Sequence, residues 1–135
     1  MNRIMSKIAK TVIKTVKAPA AIGPYSQAIK AGNTVYLSGA LGADPVTGNL
    51  VSGGIEAEAK QALINIGSIL EAAGLNYNHV VKNTVLLADI NDFAVLNKVY
   101  GEFFKTDPPA RSTFQVAALP KGARVEIESI AVASD

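Results

Sequence analysis

The sequence lacks cysteine altogether and has a single histidine, His79. Without cysteine the chain can form no disulfide, no thiolate metal site and no cysteine nucleophile. One histidine is too few for a histidine-rich metal site, and it disfavours a Ser-His-Asp triad. A phosphate-binding loop and a nucleophile-elbow pattern are also missing, so we expect neither a metal nor an organic cofactor.

Charge and long apolar runs are scarce too. Only 18% of the 135 residues are charged, and the formal net charge is +2. No apolar run approaches the roughly 18 residues of a membrane span. A nucleic-acid-binding protein would carry a concentrated basic face, which this composition does not suggest. Hydrophobic residues make up 49% of the chain. We therefore expect one packed domain over residues 1–135, with no membrane partner and no nucleic-acid partner.

The first 17 residues contain five basic side chains and no acidic one. A mitochondrial presequence has such a composition, which leaves mitochondria open as a location beside the cytoplasm. The alternative is a short extension over residues 1–9 followed by a strand over 10–17, whose β-branched residues alternate with others. We favour the extension, the strand and a cytoplasmic location.

Hydrophobic periodicity predicts helices over residues 55–73 and 92–104. Gly74 is placed to end the first helix, and Asn91 to cap the second. Turns are expected at residues 32–33, 44–48 and 120–122. The remaining segments predict strands at 10–17, 27–31, 34–38, 79–88, 111–117 and 124–132. The order β-β-β-α-β-α-β-β indicates an α+β fold with both helices on one face of a mixed sheet.

The strand predicted at 79–88 is apolar on both faces in its second half, Val85 to Ala88. A strand buried on both faces needs two covers, and one helix layer supplies only one of them. A neighbouring subunit is a candidate for the other cover.

Arg111 is the first candidate for a binding role. Alternation along its strand places Arg111, Thr113 and Gln115 on one face, and Phe114 on the other. We expect the face with Phe114 to meet the helices, so that Arg111 points away from them. An arginine fork matches both oxygens of a carboxylate, although a surface charge or a structural ion pair is the alternative.

Four further polar side chains qualify as candidates. Glu126 and Glu128 share a face of the last strand, and paired carboxylates suit acid–base chemistry, although an exposed edge would carry them equally well. Asn97 lies on the apolar stripe of its helix, where we expect its amide to be hydrogen-bonded, either to a loop carbonyl or to a group in a site. Tyr25 follows a stiff Gly-Pro pair, and its hydroxyl fits either the core or a ligand contact.

The chain resembles the Rid/YjgF family, the reactive intermediate deaminases, and especially its animal members, once described as perchloric-acid-soluble, translation-inhibiting proteins. The resemblance covers residues 16–132 and is carried by five segments: APAAIGPYSQA (18–28), VYLSG (35–39), NTVLLADINDF (83–93), PARS (109–112) and VEIESIAV (125–132).

The resemblance implies a chorismate-mutase-like fold, assembled as a homotrimer with sites between subunits. It implies hydrolysis of 2-imino acids, such as 2-iminobutanoate and 2-iminopropanoate, to 2-keto acids and ammonia, without a cofactor. The alternatives are an endoribonuclease that inhibits translation, an activity attributed to animal relatives, and a non-enzymatic, chaperone-like trimer.

The resemblance also assigns roles by position. Arg111 matches the arginine that binds the substrate carboxylate, and Glu126 the acidic residue that handles the attacking water and the protons on nitrogen. Tyr25 matches an aromatic residue from across the interface, Gly39 a backbone donor, and Asn97 an asparagine in the cleft.

Three positions depart from the family pattern. Thr113 stands where cysteine is frequent, at a position whose backbone helps to place the water, so a backbone role survives the change and a thiol role does not. Ala40 replaces a common glutamine, which bears on pocket shape, and Pro108 replaces a frequent phenylalanine.

Overall fold

The computed structural model describes residues 9–134, which fold into six strands and two helices. The strands form one mixed sheet in the order β1-β2-β3-β6-β4-β5, in which β4 and β5 run parallel and the other neighbours antiparallel. The elements are β1 (Lys10–Ile13), β2 (Ala28–Ala31), β3 (Thr34–Leu41), α1 (Gly54–Ala72), β4 (Val80–Leu87), α2 (Phe93–Phe103), β5 (Ala110–Gln115) and β6 (Val125–Val132). The predicted order and α+β class are confirmed.

Helix α1 forms where the periodicity predicted it, within one residue at each end. Its inner face contributes Leu63, Ile66 and Leu70 to the core, each with 0% exposure. Gly74 follows the helix with a φ of +77°, a left-handed conformation that glycine adopts without strain, so its role in ending the helix is confirmed.

The predicted capping of α2 by Asn91 is wrong. A short 3₁₀ turn over Ile90–Asp92 precedes the helix, and the Asp89 side chain accepts the Asn91 backbone N–H at 2.9 Å within that turn. Asp92 occupies the N-cap position of α2 without a side-chain cap hydrogen bond. Asp89, two residues before Asn91, is therefore the residue that caps the turn.

The first strand is shorter than the predicted 10–17. Beyond Ile13 the chain leaves the sheet, because the buried amide of Gln27 binds it instead. The Gln27 carbonyl oxygen Oε1 accepts the Thr15 N–H at 2.8 Å, and its amide nitrogen donates to the backbone oxygens of Thr15 and Pro19 at 3.1 and 2.8 Å. This contact fixes the loop that carries Tyr25.

Both helices pack on one face of the sheet, and the other face is open in the single chain. Leu87 and Val85, which point to the helices, have 0% exposure, whereas Leu86 between them is only partly buried. Tyr36 and Phe114 on the same open face are 51% and 54% exposed. The apolar second face predicted for β4 is therefore present and uncovered within the described chain.

The N-terminal extension over residues 1–9 lies almost wholly outside the described residues, as does about half of the 17-residue segment for which a presequence was the alternative. Between residues 9 and 134, no helix combines the length and the apolar character needed to cross a membrane.

Candidate functional site

The structure does not bring all of the predicted site residues together, because Arg111 and Glu126 lie on opposite faces of the sheet. Residue alternation defines the faces, because Asn83 of β4 pairs with Arg111 of β5 and with Ser129 of β6. Asn83 and Ser129 are buried under the helices, at 0% and 2% exposure. Arg111 therefore shares the helix side of the sheet, whereas Glu126, an odd number of residues from Ser129, lies on the open side.

Ring contacts confirm the position of Arg111. Its guanidinium carbon lies 4.7 Å from the ring centroid of Tyr100 and 5.5 Å from that of Phe93, both on α2. These distances are within the range of cation–π attraction. Among residues 9–134 its guanidinium forms no ion pair, so the N–H donors remain free for a ligand carboxylate.

The predicted orientation of β5 is wrong. Arg111, Thr113 and Gln115 face the helix layer, as the Gln115 side chain also shows by accepting the Ile90 N–H at 2.9 Å. Phe114, which we expected to meet the helices, lies on the open face. The prediction assumed that the apolar face of β5 packs against the helices. Instead, β5 is an edge strand, and the guanidinium on its helix side contacts aromatic rings of α2.

Two polar atoms beside this group lack partners. The Asn97 Oδ1 and the Thr113 Oγ1 are both buried, and neither has a hydrogen bond within the part of the chain that is described. The expected hydrogen bonding of the Asn97 amide is therefore not met at its oxygen. Buried unpaired acceptors are uncommon in folded proteins and are frequently completed by a ligand, a water molecule or another chain.

The second group centres on a β-bulge in β3. The register with β6 shifts between Leu37 and Ala40, so Ser38 and Gly39 together oppose a single position. A side chain at Gly39 would overlap the Glu126 carboxylate, because that carboxylate lies directly against the glycine backbone. The bulge thus brings a bare peptide group next to an acid.

Tyr25 and Gly39 line the same cavity, which has a volume of about 80 Å³. The Tyr25 hydroxyl accepts the Ile22 backbone N–H at 3.3 Å, and half of the side chain is exposed. The wall is mixed, since small residues such as Ala40 stand beside polar side chains, and it includes Asn65 and Ile69 of α1 but not Glu126. Tyr25 is therefore available at a surface and is not a core tyrosine.

Electrostatics distinguish Glu126 from an ordinary surface acid. Burial raises the pKa of Glu126, and repulsion from the neighbouring Glu128 carboxylate raises this pKa further. A glutamate with a raised pKa accepts and returns protons closer to neutral pH than an exposed one. The expectation that the two glutamates share a face is confirmed, since both alternate with the buried Val125 and Ile127.

Phe93 and Tyr100 are functional candidates that the sequence analysis did not single out. They are seven residues apart, which is two helical turns, and so they lie on the same side of α2. Their spacing indicates a shared side of α2, but it points to a site only once Arg111 is known to face that helix.

Comparisons with known proteins identify the family of the chain. The family model described as endoribonuclease L-PSP matches residues 15–133. A Bos taurus protein named 2-iminobutanoate/2-iminopropanoate deaminase is 62% identical over 95% of this chain and 93% of its own length.

Solved structures match as well. RidA from the Antarctic bacterium Psychrobacter sp. superposes with a TM-score of 0.88 at 56% identity, covering 90% of this chain and 98% of that one. TdcF of E. coli, solved with bound serine, has a TM-score of 0.88 at 42% identity and covers 92% and 99% of the two chains.

Proposed function

The chain belongs to the endoribonuclease L-PSP family, also known as the Rid/YjgF family, and on that premise we propose that it is a hydrolytic deaminase of 2-imino acids. Its substrates would be 2-iminobutanoate and 2-iminopropanoate, the two compounds in the name of its mammalian relatives. The products would be the 2-keto acids and ammonia. The structural observation that carries the proposal is the unpaired guanidinium of Arg111, held between two rings with its N–H donors free.

Arg111 would bind the substrate carboxylate with two parallel hydrogen bonds and so fix the position of the adjacent C=N carbon. Holding the reacting carbon next to a placed water removes part of the entropic barrier to its attack. The bound serine of TdcF, a small molecule with the same carboxylate, supports a ligand of this class.

Glu126 would perform the proton transfers. As the water oxygen bonds to the imine carbon, the carboxylate takes a proton from the water, and it then returns this proton to the nitrogen. In the resulting carbinolamine the carboxylate takes the remaining hydroxyl proton and passes it to the amino nitrogen, so that the C–N bond breaks as the C=O bond forms and ammonia leaves. Acid–base assistance of this kind contributes about 10²- to 10⁴-fold. The backbone N–H of Gly39, the amide of Asn97 and the backbone at Thr113 would position the water and the substrate, and Tyr25 would close the site.

One copy of the chain does not bring these groups together, because Arg111 and Glu126 lie on opposite faces of the sheet. We therefore propose that sites form between subunits of a homotrimer, with Arg111, Asn97 and Thr113 from one subunit and Glu126, Gly39 and Tyr25 from its neighbour. The exposed Tyr36 and Phe114 on the open face support this assembly. For the compartment, we propose the cytoplasm.

The test couples a threonine dehydratase to the purified protein and follows the release of 2-ketobutanoate. Wild type should accelerate the release beyond spontaneous hydrolysis. Arg111→Ala should lower kcat/KM by roughly 10- to 150-fold, the equivalent of lost hydrogen bonds to a charged group. Arg111→Lys retains the charge without the two-pronged geometry and should fall between them.

A wild-type protein that gives no acceleration, or an Arg111→Ala variant that matches it, would contradict the deaminase proposal. The same preparations should be incubated with RNA and with an aggregating client protein. Ribonuclease or holdase activity that copurifies through repeated chromatography, in the absence of deamination, would favour one of the two alternatives.

A further inference from the structure

Behind Arg111 lies a buried polar chain that the proposed reaction does not use. The Ser129 hydroxyl donates to the Asn83 Oδ1 at 2.5 Å, and the Asn83 amide nitrogen donates to the Tyr100 hydroxyl at 2.8 Å. Asn83 and Ser129 are 0% and 2% exposed, and Tyr100 is 6% exposed. These hydrogen bonds run from β6 through β4 to α2 and end at Tyr100, whose ring contacts the guanidinium of Arg111.

Burying three polar side chains in a core is costly unless each is hydrogen-bonded, and an apolar trio would avoid that cost. The arrangement satisfies the polar atoms along one line and fixes the Tyr100 side chain at its far end. Burial raises the pKa of the Tyr100 hydroxyl, and its oxygen accepts the Asn83 amide at 2.8 Å. The ring therefore has a defined position.

That position bears on Arg111, whose guanidinium carbon lies 4.7 Å from the Tyr100 ring centroid. Contact with a ring uses the flat face of a guanidinium and leaves its in-plane N–H donors available. A ring fixed from behind would thus set the direction of the two donors that reach a carboxylate. If a carboxylate of the protein paired with Arg111 instead, it would occupy these two donors and leave none for a ligand.

We propose that Tyr100, held by Asn83 and Ser129, is a positioning residue that orients Arg111 for the carboxylate of the ligand. The role rests on the proposed function in so far as Arg111 binds substrate, and it adds residues of α2, β4 and β6 that do not touch the ligand. It predicts that the effect of Tyr100 on ligand binding passes through Arg111.

The test is a double-mutant cycle on full-length protein, with Tyr100→Leu, Arg111→Ala and the two combined. Binding of 2-oxobutanoate (2-ketobutanoate), the stable product of the reaction, is measured by calorimetry. KM and kcat are measured for the imine. Tyr100→Leu should weaken binding and raise KM by about 2- to 30-fold, the range of a cation–π contact, with a smaller change in kcat. In the Arg111→Ala background it should have no further effect.

Tyr77→Leu is the matched control, because Tyr77 likewise packs on aromatic rings, those of Phe103 and Phe104, and its hydroxyl also forms a hydrogen bond, by donating to the Leu63 carbonyl. It should lower thermal stability without weakening the binding of 2-oxobutanoate. Equal weakening by both leucine variants would reduce Tyr100 to a general packing role and overturn the proposal.

Tyr100→Phe tests the buried chain and serves if Tyr100→Leu does not fold. Keeping the ring but releasing it from Asn83 should give binding between wild type and Tyr100→Leu. Wild-type binding in Tyr100→Phe would overturn the role of Asn83 and Ser129. Since 2-oxobutanoate binding does not depend on turnover, a protein that binds it through Arg111 without deaminating imines would contradict the proposed function alone.

Discussion

Glu126 is the residue whose chemistry pH can test. Its pKa is raised by burial and by the Glu128 charge, so a base at this position gains its charge at a higher pH than an exposed glutamate. Activity should therefore rise with pH through the raised pKa of Glu126. Glu128→Gln removes the repulsion but not the burial, and should shift the acidic limb of the kcat/KM profile to lower pH while leaving it above that of an ordinary glutamate.

Glu126→Gln is the partner variant for this profile. It should abolish the limb and lower the rate by about 10²- to 10⁴-fold, as expected for a lost general base. A limb that persists in Glu126→Gln, or one that does not shift in Glu128→Gln, would assign the titration to another group. Each profile requires subtraction of the spontaneous hydrolysis rate at the same pH.

Stability should respond to the same group with the opposite sign. The folded state binds a proton at Glu126 more readily than the unfolded state does, so stability decreases as pH rises between the ordinary and the raised pKa. Glu126→Gln removes this loss, and its melting temperature should gain on wild type as pH rises through that window.

For single residues, the sequence identified the polar candidates but not which face of the sheet each side chain occupies. Alternation correctly placed Glu126 and Glu128 on one face, because the buried residues between them are unmistakably apolar. It misplaced Arg111, since Phe114 looked like a core residue and Arg111 like a surface one. Only the contacts with Phe93 and Tyr100 reveal that aromatic rings of α2 receive the cation.

Among the elements, the bulged strand β3 offers the sharpest comparison, because two of the glycines near its end meet very different neighbours. A Cβ at Gly39 would meet the tip of the Glu126 side chain, which can swing aside. We expect Gly39→Ala to cost little stability but to displace the carboxylate, so that activity falls toward the level of Glu126→Gln.

Gly42→Ala is the control for that prediction. Its Cβ would meet the backbone of Glu58 on α1, which cannot move without shifting the helix. It should therefore lower the melting temperature markedly more than Gly39→Ala, as overpacking costs about 1–3 kcal/mol. Thermal melts and coupled assays on both variants measure this, and a Gly39→Ala protein with full activity would contradict the proposed contact between bulge and acid.

The elements themselves were largely predictable. Helix α1 has a strong apolar period and a glycine stop, so its ends were found within one residue. The ends of α2 were also found within one residue, but its cap was assigned wrongly. Asp89 and Asn91 are both good turn formers, and only the hydrogen bond from the Asn91 N–H to Asp89 decides between them. The bulge in β3 leaves no mark on sequence periodicity, since it depends on pairing with β6.

For the whole molecule, the central fact is that a single chain separates its own candidate groups. Arg111 lies on the helix side, against α2, and Glu126 lies on the open side, against β3. The open side also exposes Tyr36 and Phe114, and apolar patches of this kind mark surfaces that another chain covers. The sequence hinted at this cover through β4 alone, and could not show which side each candidate residue takes.

Subunit mixing tests whether two copies build one site. Arg111→Ala and Glu126→Ala should each be nearly inactive, yet in a trimer assembled from both, an interface can combine the intact Arg111 of one subunit with the intact Glu126 of the next. With random assembly at equal amounts, half of the arginine donors and half of the glutamate donors are intact, so about one quarter of the sites should be complete. Coexpressed mixtures should then regain about that share of wild-type activity, whereas sites confined to one chain would regain none. The double variant with Arg111→Ala and Glu126→Ala in one chain, expressed alone, gives the baseline activity.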